Sequence, residues 1–135
     1  MITKINHIGI AVTKLTDQIP FYRDILQLQF KGTGEVPDQK VRVAMFQAGE
    51  VQIELLEPTS PDSPIAKFIQ NRGEGIHHIA YQSDDIESDI HDFRAKNIRM
   101  IDEQPRAGAH GTRIAFLHPK SSGKVLTEIC QIGDK

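Results

Sequence analysis

Gly75-Ile76-His77-His78-Ile79-Ala80-Tyr81 has the composition of a short buried strand, and its two histidines fall on opposite faces. It has an echo near the N-terminus, where the chain reads Ile5-Asn6-His7-Ile8-Gly9-Ile10-Ala11-Val12. Laying His78 over His7 also brings Ile8 over Ile79, Leu15 over Ile86, Ile19 over Ile90 and Arg23 over Arg94. Further along, Gly49 matches Gly123, Val51 matches Val125 and Glu54 matches Glu128, with the second copy three residues longer. An insertion after Phe116, fitted by His118-Pro119-Lys120-Ser121, roughly accounts for the difference. Internal repetition fixes architecture, and here it predicts two copies of a unit of roughly 60 to 70 residues. The repeats are expected over about 1–58 and 73–135 of a single domain, with a linker and short helix over 59–72.

The totals narrow the class. The 135 residues are 39% hydrophobic and 25% charged, with a net charge of −2, which is ordinary for a globular chain with a real core. That balance argues against nucleic acid as a partner, because such partners call for a basic face. No apolar run is long enough to span a membrane and no signal-peptide core opens the chain, so a cytoplasmic protein is expected. The one cysteine, Cys130, excludes an intrachain disulfide framework and reads as a small core residue.

Residues 3–12 alternate as a strand, with Ile8, Ile10 and Val12 on one face and His7, Gly9 and Ala11 on the other. Leu15, Ile19, Tyr22, Ile25 and Leu26 have helical spacing, and a start near Asp17 places Pro20 in the first turn, where it is tolerated. A second strand over Leu28 to Lys31, a loop through Pro37-Asp38, and strands over Val41 to Gln47 and Val51 to Glu57 complete the first copy. Pro58 to Pro64 is the linker and Ile65 to Asn71 the short helix. In the second copy a helix is predicted over Asp84 to Lys96, a strand over Arg99 to Asp102 and a loop over Pro105 to Gly111. A hairpin of Thr112 to Leu117 with Val125 to Gln131 closes it. The predicted fold class is α+β, with the βαβββ module occurring twice in tandem.

The alternation also sorts the polar residues. His7, Glu54, His78 and Glu128 all fall on the strand face turned away from the helices, each inside a strand. A lone strand histidine is more often a hydrogen-bonded core residue, and a lone strand glutamate is usually solvated. Recurrence of both at corresponding positions of a repeat favours a shared task. Two imidazoles and two carboxylates suit a divalent ion: imidazole favours Zn, Co, Ni or Fe, and carboxylate oxygen broadens the choice to Mn or Mg. His77 points to the other face and reads as structural, and His91 lies on an exposed helix side.

Those paired units, with a His on each first strand and a Glu on each last strand, resemble the vicinal oxygen chelate superfamily, which implies two tandem βαβββ modules forming a curved mixed sheet around a metal-lined cleft. More particular words are similar to its methylmalonyl-CoA epimerase family. They are His7-Ile8-Gly9-Ile10-Ala11-Val12, Ile53-Glu54-Leu55-Leu56-Glu57-Pro58, Ser63-Pro64-Ile65-Ala66-Lys67-Phe68, Gly75-Ile76-His77-His78-Ile79-Ala80, Gly108-Ala109-His110-Gly111 and Phe116-Leu117-His118-Pro119-Lys120. The resemblance implies one divalent metal per chain, of Co, Zn, Mn or Ni, held by His7, His78 and Glu128 with Glu54 as the fourth ligand. It implies epimerisation of (R)- and (S)-methylmalonyl-CoA at C2 through a metal-stabilised enolate, an acyl-CoA thioester substrate, and a homodimer. Val43 stands where some members carry a glutamate, which leaves Glu128, Glu54 or a bound water as acid and base, with Glu128 preferred. Lys120, Arg113, Arg72 and Lys67 are the cations near the loops, and Lys120 is assigned to the coenzyme A phosphates. The competing expectations are a glyoxalase I-type lyase acting on a hemithioacetal, a metal-free binding or resistance protein, and an extradiol dioxygenase.

Overall fold

A computed structural model describes residues 1–108 and 111–133. Ala109 and His110, inside the Gly-Ala-His-Gly word, lie outside the described residues, as do the last two residues of the chain. The strands are β1 (Ile2–Ala11), β2 (Gln29–Val36), β3 (Val41–Ala48), β4 (Val51–Pro58), β5 (Gly75–Ser83), β6 (Arg106–Ala107), β7 (Arg113–Leu117) and β8 (Thr127–Gln131). The α-helices are α1 (Leu15–Pro20), α2 (Pro64–Arg72) and α3 (Ile86–Ala95). The expected α+β class and the βαβββ series are therefore observed twice, as β1-α1-β2-β3-β4 and β5-α3-β6-β7-β8. Among the described residues no helix is long and apolar enough to cross a membrane.

The chain divides into two compact units, His7–His77 and Met1–Asn6 with His78–Lys135, so the division passes through β1. In the His7–His77 unit the strand order is β2-β3-β4-β1. β1 is parallel to β4, and the β2-β3-β4 pairings are antiparallel. One face carries a cluster of Val12, Leu15, Ala44, Phe46 and Leu55, on which Ile19 and Tyr22 pack. The other face carries Ala11, Val41, Val43 and Leu56, covered by Ile65, Phe68 and Ile69 of α2. The linker helix thus lies on the face expected to be turned away from helices. Its own pattern explains this, because Ile65, Phe68 and Ile69 make an apolar stripe that must be covered.

Helix α2 starts cleanly because Ser63 is its N-cap and Pro64 fills the first position, where no N–H is needed. The fully buried Ser63 hydroxyl accepts the Ile65 N–H at 3.1 Å and donates to the Gln39 carbonyl at 3.4 Å. Ser63→Ala is expected to cost about 1–2 kcal/mol, read by urea denaturation.

Helix α1 departs from expectation. It begins at Leu15, two residues early, and Pro20 is its last residue. No local side chain caps it, but Glu57 of β4 accepts the Leu15 N–H and Glu74 accepts the Thr13 N–H, both at 2.7 Å. These distant carboxylates satisfy donors that a sequence scan assigns to a neighbouring cap. Beyond Pro20, which has no N–H to continue the ladder, the chain takes a π turn over Phe21–Ile25, closed by Leu26 N–H to the Phe21 carbonyl at 2.9 Å. Strand β2 is longer than predicted and reaches Val36, because Gly32, at φ +106°, absorbs a bulge after Phe30 and pairing with β3 then resumes.

In the Met1–Asn6 and His78–Lys135 unit the order is β1-β5-β8-β7-β6, with β5 and β8 parallel and the β8-β7-β6 pairings antiparallel. Ile86 and Ile90 of α3 pack on Ala115 and Ile129. Asp85 caps α3 by accepting the Ser88 N–H at 3.2 Å. The strand predicted over Arg99–Asp102 is absent apart from one bridge, Met100 with Leu117. Its place beside β7 is taken by Arg106–Ala107, inside the predicted loop. The reason is Asp102, whose carboxylate accepts the Phe116 N–H at 2.9 Å and so replaces a rung of the ladder with a side-chain bond.

Candidate functional site

Strand register places the predicted site residues within each unit. In the His7–His77 unit Gly9 of β1 lies beside Glu54 of β4, and Met45 of β3 flanks Glu54 on the other side. His7 and Glu54 therefore share a face, opposite the one that carries Leu55 and the α1 cluster. His7 Nδ1 is 3.7 Å from Glu54 Oε2, and their side chains are 10% and 19% exposed. In the other unit Ala80 of β5 lies beside Glu128 of β8, so His78 and Glu128 share the face opposite Ile129 and α3. His78 Nε2 is 3.3 Å from Glu128 Oε1, and both side chains are buried.

Each unit therefore holds one buried imidazole against one carboxylate. The surroundings are hydrocarbon in both cases: Ala11, Val43 and Leu56 on the Glu54 face, and Ala80, Ile114, Cys130 and Phe116 on the Glu128 face. Burying an ionised carboxylate in such a place is costly unless it is compensated. An imidazole nitrogen and a carboxylate oxygen brought together suit Zn²⁺, Co²⁺, Mn²⁺ or Ni²⁺, so the donors present fit a divalent ion.

Of the remaining residues, Val43 lies in β3 opposite Leu56, part of the apolar cluster under α2. It offers no proton chemistry. His77 meets Phe68 edge-on with ring centroids 5.0 Å apart, and burial, aided by the charge of Arg72, pushes it down to about 4. It is neutral at physiological pH and packs as a ring. Lys120 is exposed in the short Pro119–Ser121 turn, whose first residue is preceded by His118 accepting the Lys120 N–H at 3.0 Å. Arg113 donates to Glu87 of α3 and to Gln131 of β8, each at 3.2 Å. Arg72 lies over the Phe68 ring.

The sequence reading missed three residues beside the second pair. Phe116 is directly opposite Glu128 in the β7-β8 ladder and meets the His78 ring edge-on, with centroids 5.9 Å apart. Arg106 lies over the same Phe116 ring, and Asp102 holds Arg106 at 3.1 Å. Alternation exposes Phe116 once β7 and β8 are paired. Nothing comparable announces Arg106, because its strand is two residues long.

Comparison with known proteins fits this arrangement. The family pattern of the Glyoxalase/Bleomycin resistance protein/Dioxygenase superfamily matches residues 6–116. The mitochondrial methylmalonyl-CoA epimerase of Homo sapiens is 40% identical over 95% of this chain and 73% of its own. The chain belongs to the methylmalonyl-CoA epimerase family of that superfamily. The uncharacterized protein YqjC of Bacillus subtilis is 41% identical over 95% of this chain and 91% of its own. Among solved structures, a methylmalonyl-CoA epimerase in complex with methylmalonyl-CoA and NH4+ superposes with a TM-score of 0.89 at 39% identity. That likeness covers 97% of this chain and 95% of the epimerase. Membership matches the family expected from the sequence words, and it accounts for the doubled βαβββ series.

Proposed function

We propose that the chain is an isomerase that interconverts the (R) and (S) epimers of methylmalonyl-CoA at C2, and that His7, Glu54, His78 and Glu128 together hold one divalent ion. The observation that carries this reading is the recurrence of a buried histidine against a glutamate at corresponding positions of two units in a chain of this family. When bound, the ion supplies Lewis-acid stabilisation of the negative charge that develops as C2 loses its proton, typically worth several kcal/mol.

The protein's own side chains do the rest. Glu128 is the carboxylate assigned to take the C2 proton from one face. Glu54 is the carboxylate assigned to the opposite face, since Val43 has nothing to donate. Return of the proton on the face opposite its removal inverts the centre. The hydrocarbon around each carboxylate keeps bulk water from competing for these protons and strengthens every charge interaction beside them. Lys120 is assigned to the coenzyme A phosphates, and the active form is a homodimer of about 30 kDa, twice the 15.1 kDa chain.

Incubating one C2 epimer of methylmalonyl-CoA with metal-loaded protein tests the activity. The expected result is an equal mixture of the two epimers. Inert methylmalonyl-CoA, with rapid isomerisation of a glutathione hemithioacetal instead, would replace the epimerase by a glyoxalase I-type lyase.

A further inference from the structure

Arg106 has one side of its guanidinium committed to Asp102, and among the described residues its far end has no such partner. It lies opposite Ile114 of β7, and Ile114 and Phe116 are themselves opposite Cys130 and Glu128 of β8. Arg106, Phe116 and Glu128 therefore project from one face, the face of His78. The guanidinium carbon is 5.5 Å from the Phe116 ring centroid. Asp102 fixes both partners: one carboxylate oxygen accepts Arg106 Nε–H at 3.1 Å and the other accepts the Phe116 N–H at 2.9 Å. The Asp102 side chain is 17% exposed and that of Arg106 is 48% exposed. Among the described residues, no hydrogen bond or ion pair engages the two terminal Nη groups. The contrast with Arg113 is direct, because both Nη groups of that residue are spent on Glu87 and Gln131.

We propose that Arg106 recognises the free carboxylate of the acyl group through its two terminal Nη groups, so that it selects malonyl-type thioesters over simple acyl thioesters. The proposal rests on the epimerase reading. A fork of N–H donors matches a carboxylate bidentately, and a lysine in the same place offers only a point charge. The stacking on Phe116 and the bond to Asp102 hold the fork before substrate arrives, which lowers the entropy lost on binding. A malonyl-type thioester differs from its decarboxylated counterpart by one carboxylate. A pre-oriented guanidinium beside the His78–Glu128 pair reads that difference.

The test measures the dissociation constants of methylmalonyl-CoA and propionyl-CoA by calorimetry on metal-loaded wild type, Arg106→Gln and Arg106→Lys. Arg106→Gln is expected to weaken methylmalonyl-CoA about 10- to 100-fold and to leave propionyl-CoA within about twofold. Arg106→Lys keeps the charge and the reach to Asp102, so it guards against loss of the fold, and it is expected to fall between the two. Equal weakening of both thioesters would place Arg106 on the coenzyme A phosphates and overturn the proposal, as would no change in either. Exchange at C2 is measured on the same wild-type preparation. A wild type that discriminates the two thioesters through Arg106 and yet exchanges no C2 hydrogen would sink the epimerase reading alone.

Discussion

Glu128→Gln is expected to slow C2 proton exchange of methylmalonyl-CoA by about a thousand- to ten-thousandfold and to lower bound metal, with the fold intact. Glutamine keeps the volume of the side chain, which matters at a position 5% exposed between Ala80 and Phe116. It removes the negative charge that faces His78 at 3.3 Å. An amide is a poor ligand for a divalent ion and no base at all, so one change removes a proposed ligand and the preferred proton acceptor together. Loss of a positioned general base alone costs about a hundred- to ten-thousandfold. Metal content by emission spectrometry separates the two contributions: normal metal with slow exchange isolates the proton-transfer role. Exchange within tenfold of wild type would remove Glu128 from the chemistry.

Phe46→Ala is expected to destabilise the protein by about 3–5 kcal/mol. Phe46 is fully buried in β3, between Phe30 of β2 and Ile53 of β4. Its ring centroid lies 5.1 Å from that of Phe30 and 5.6 Å from that of Tyr22. Truncation opens a void that the surrounding β-strands cannot collapse into without breaking register. A loss of that size is a large share of the total stability of an ordinary domain, about 5–15 kcal/mol. The thermal midpoint should fall by about 10 to 20 °C. Phe46 lies on the face opposite Glu54, so the folded fraction should keep most of its exchange activity. A midpoint within about 3 °C of wild type would contradict the packing described for this face.

Much of the fold was legible because the chain states it twice. The match of His7 with His78 and of Glu54 with Glu128 gave strand positions and a common face, and strand periodicity then placed each His with its Glu. What the sequence hid depends on contacts far apart in the chain. The start of α1 is set by Glu57 and Glu74, 42 and 61 residues from the N–H groups they accept. The expected strand at Arg99–Asp102 failed because a side chain, Asp102, took the Phe116 N–H that a strand would have used. A glycine in β2 reads as loop, yet Gly32 absorbs a bulge and lets the strand run on. Arg106 was missed for the same reason as β6: two residues carry no periodicity. The facing of α2 was legible in Ile65, Phe68 and Ile69, but which strand face it would cover was not.

The most direct test of the account is deuterium wash-in at C2 of methylmalonyl-CoA in D₂O, followed by proton NMR on wild-type protein before and after EDTA treatment and after addition of Co²⁺ or Zn²⁺. Rapid incorporation with loss of stereochemical purity, abolished by EDTA and restored by the added ion, is the predicted result. Incorporation no faster than the uncatalysed background in metal-replete protein would contradict it.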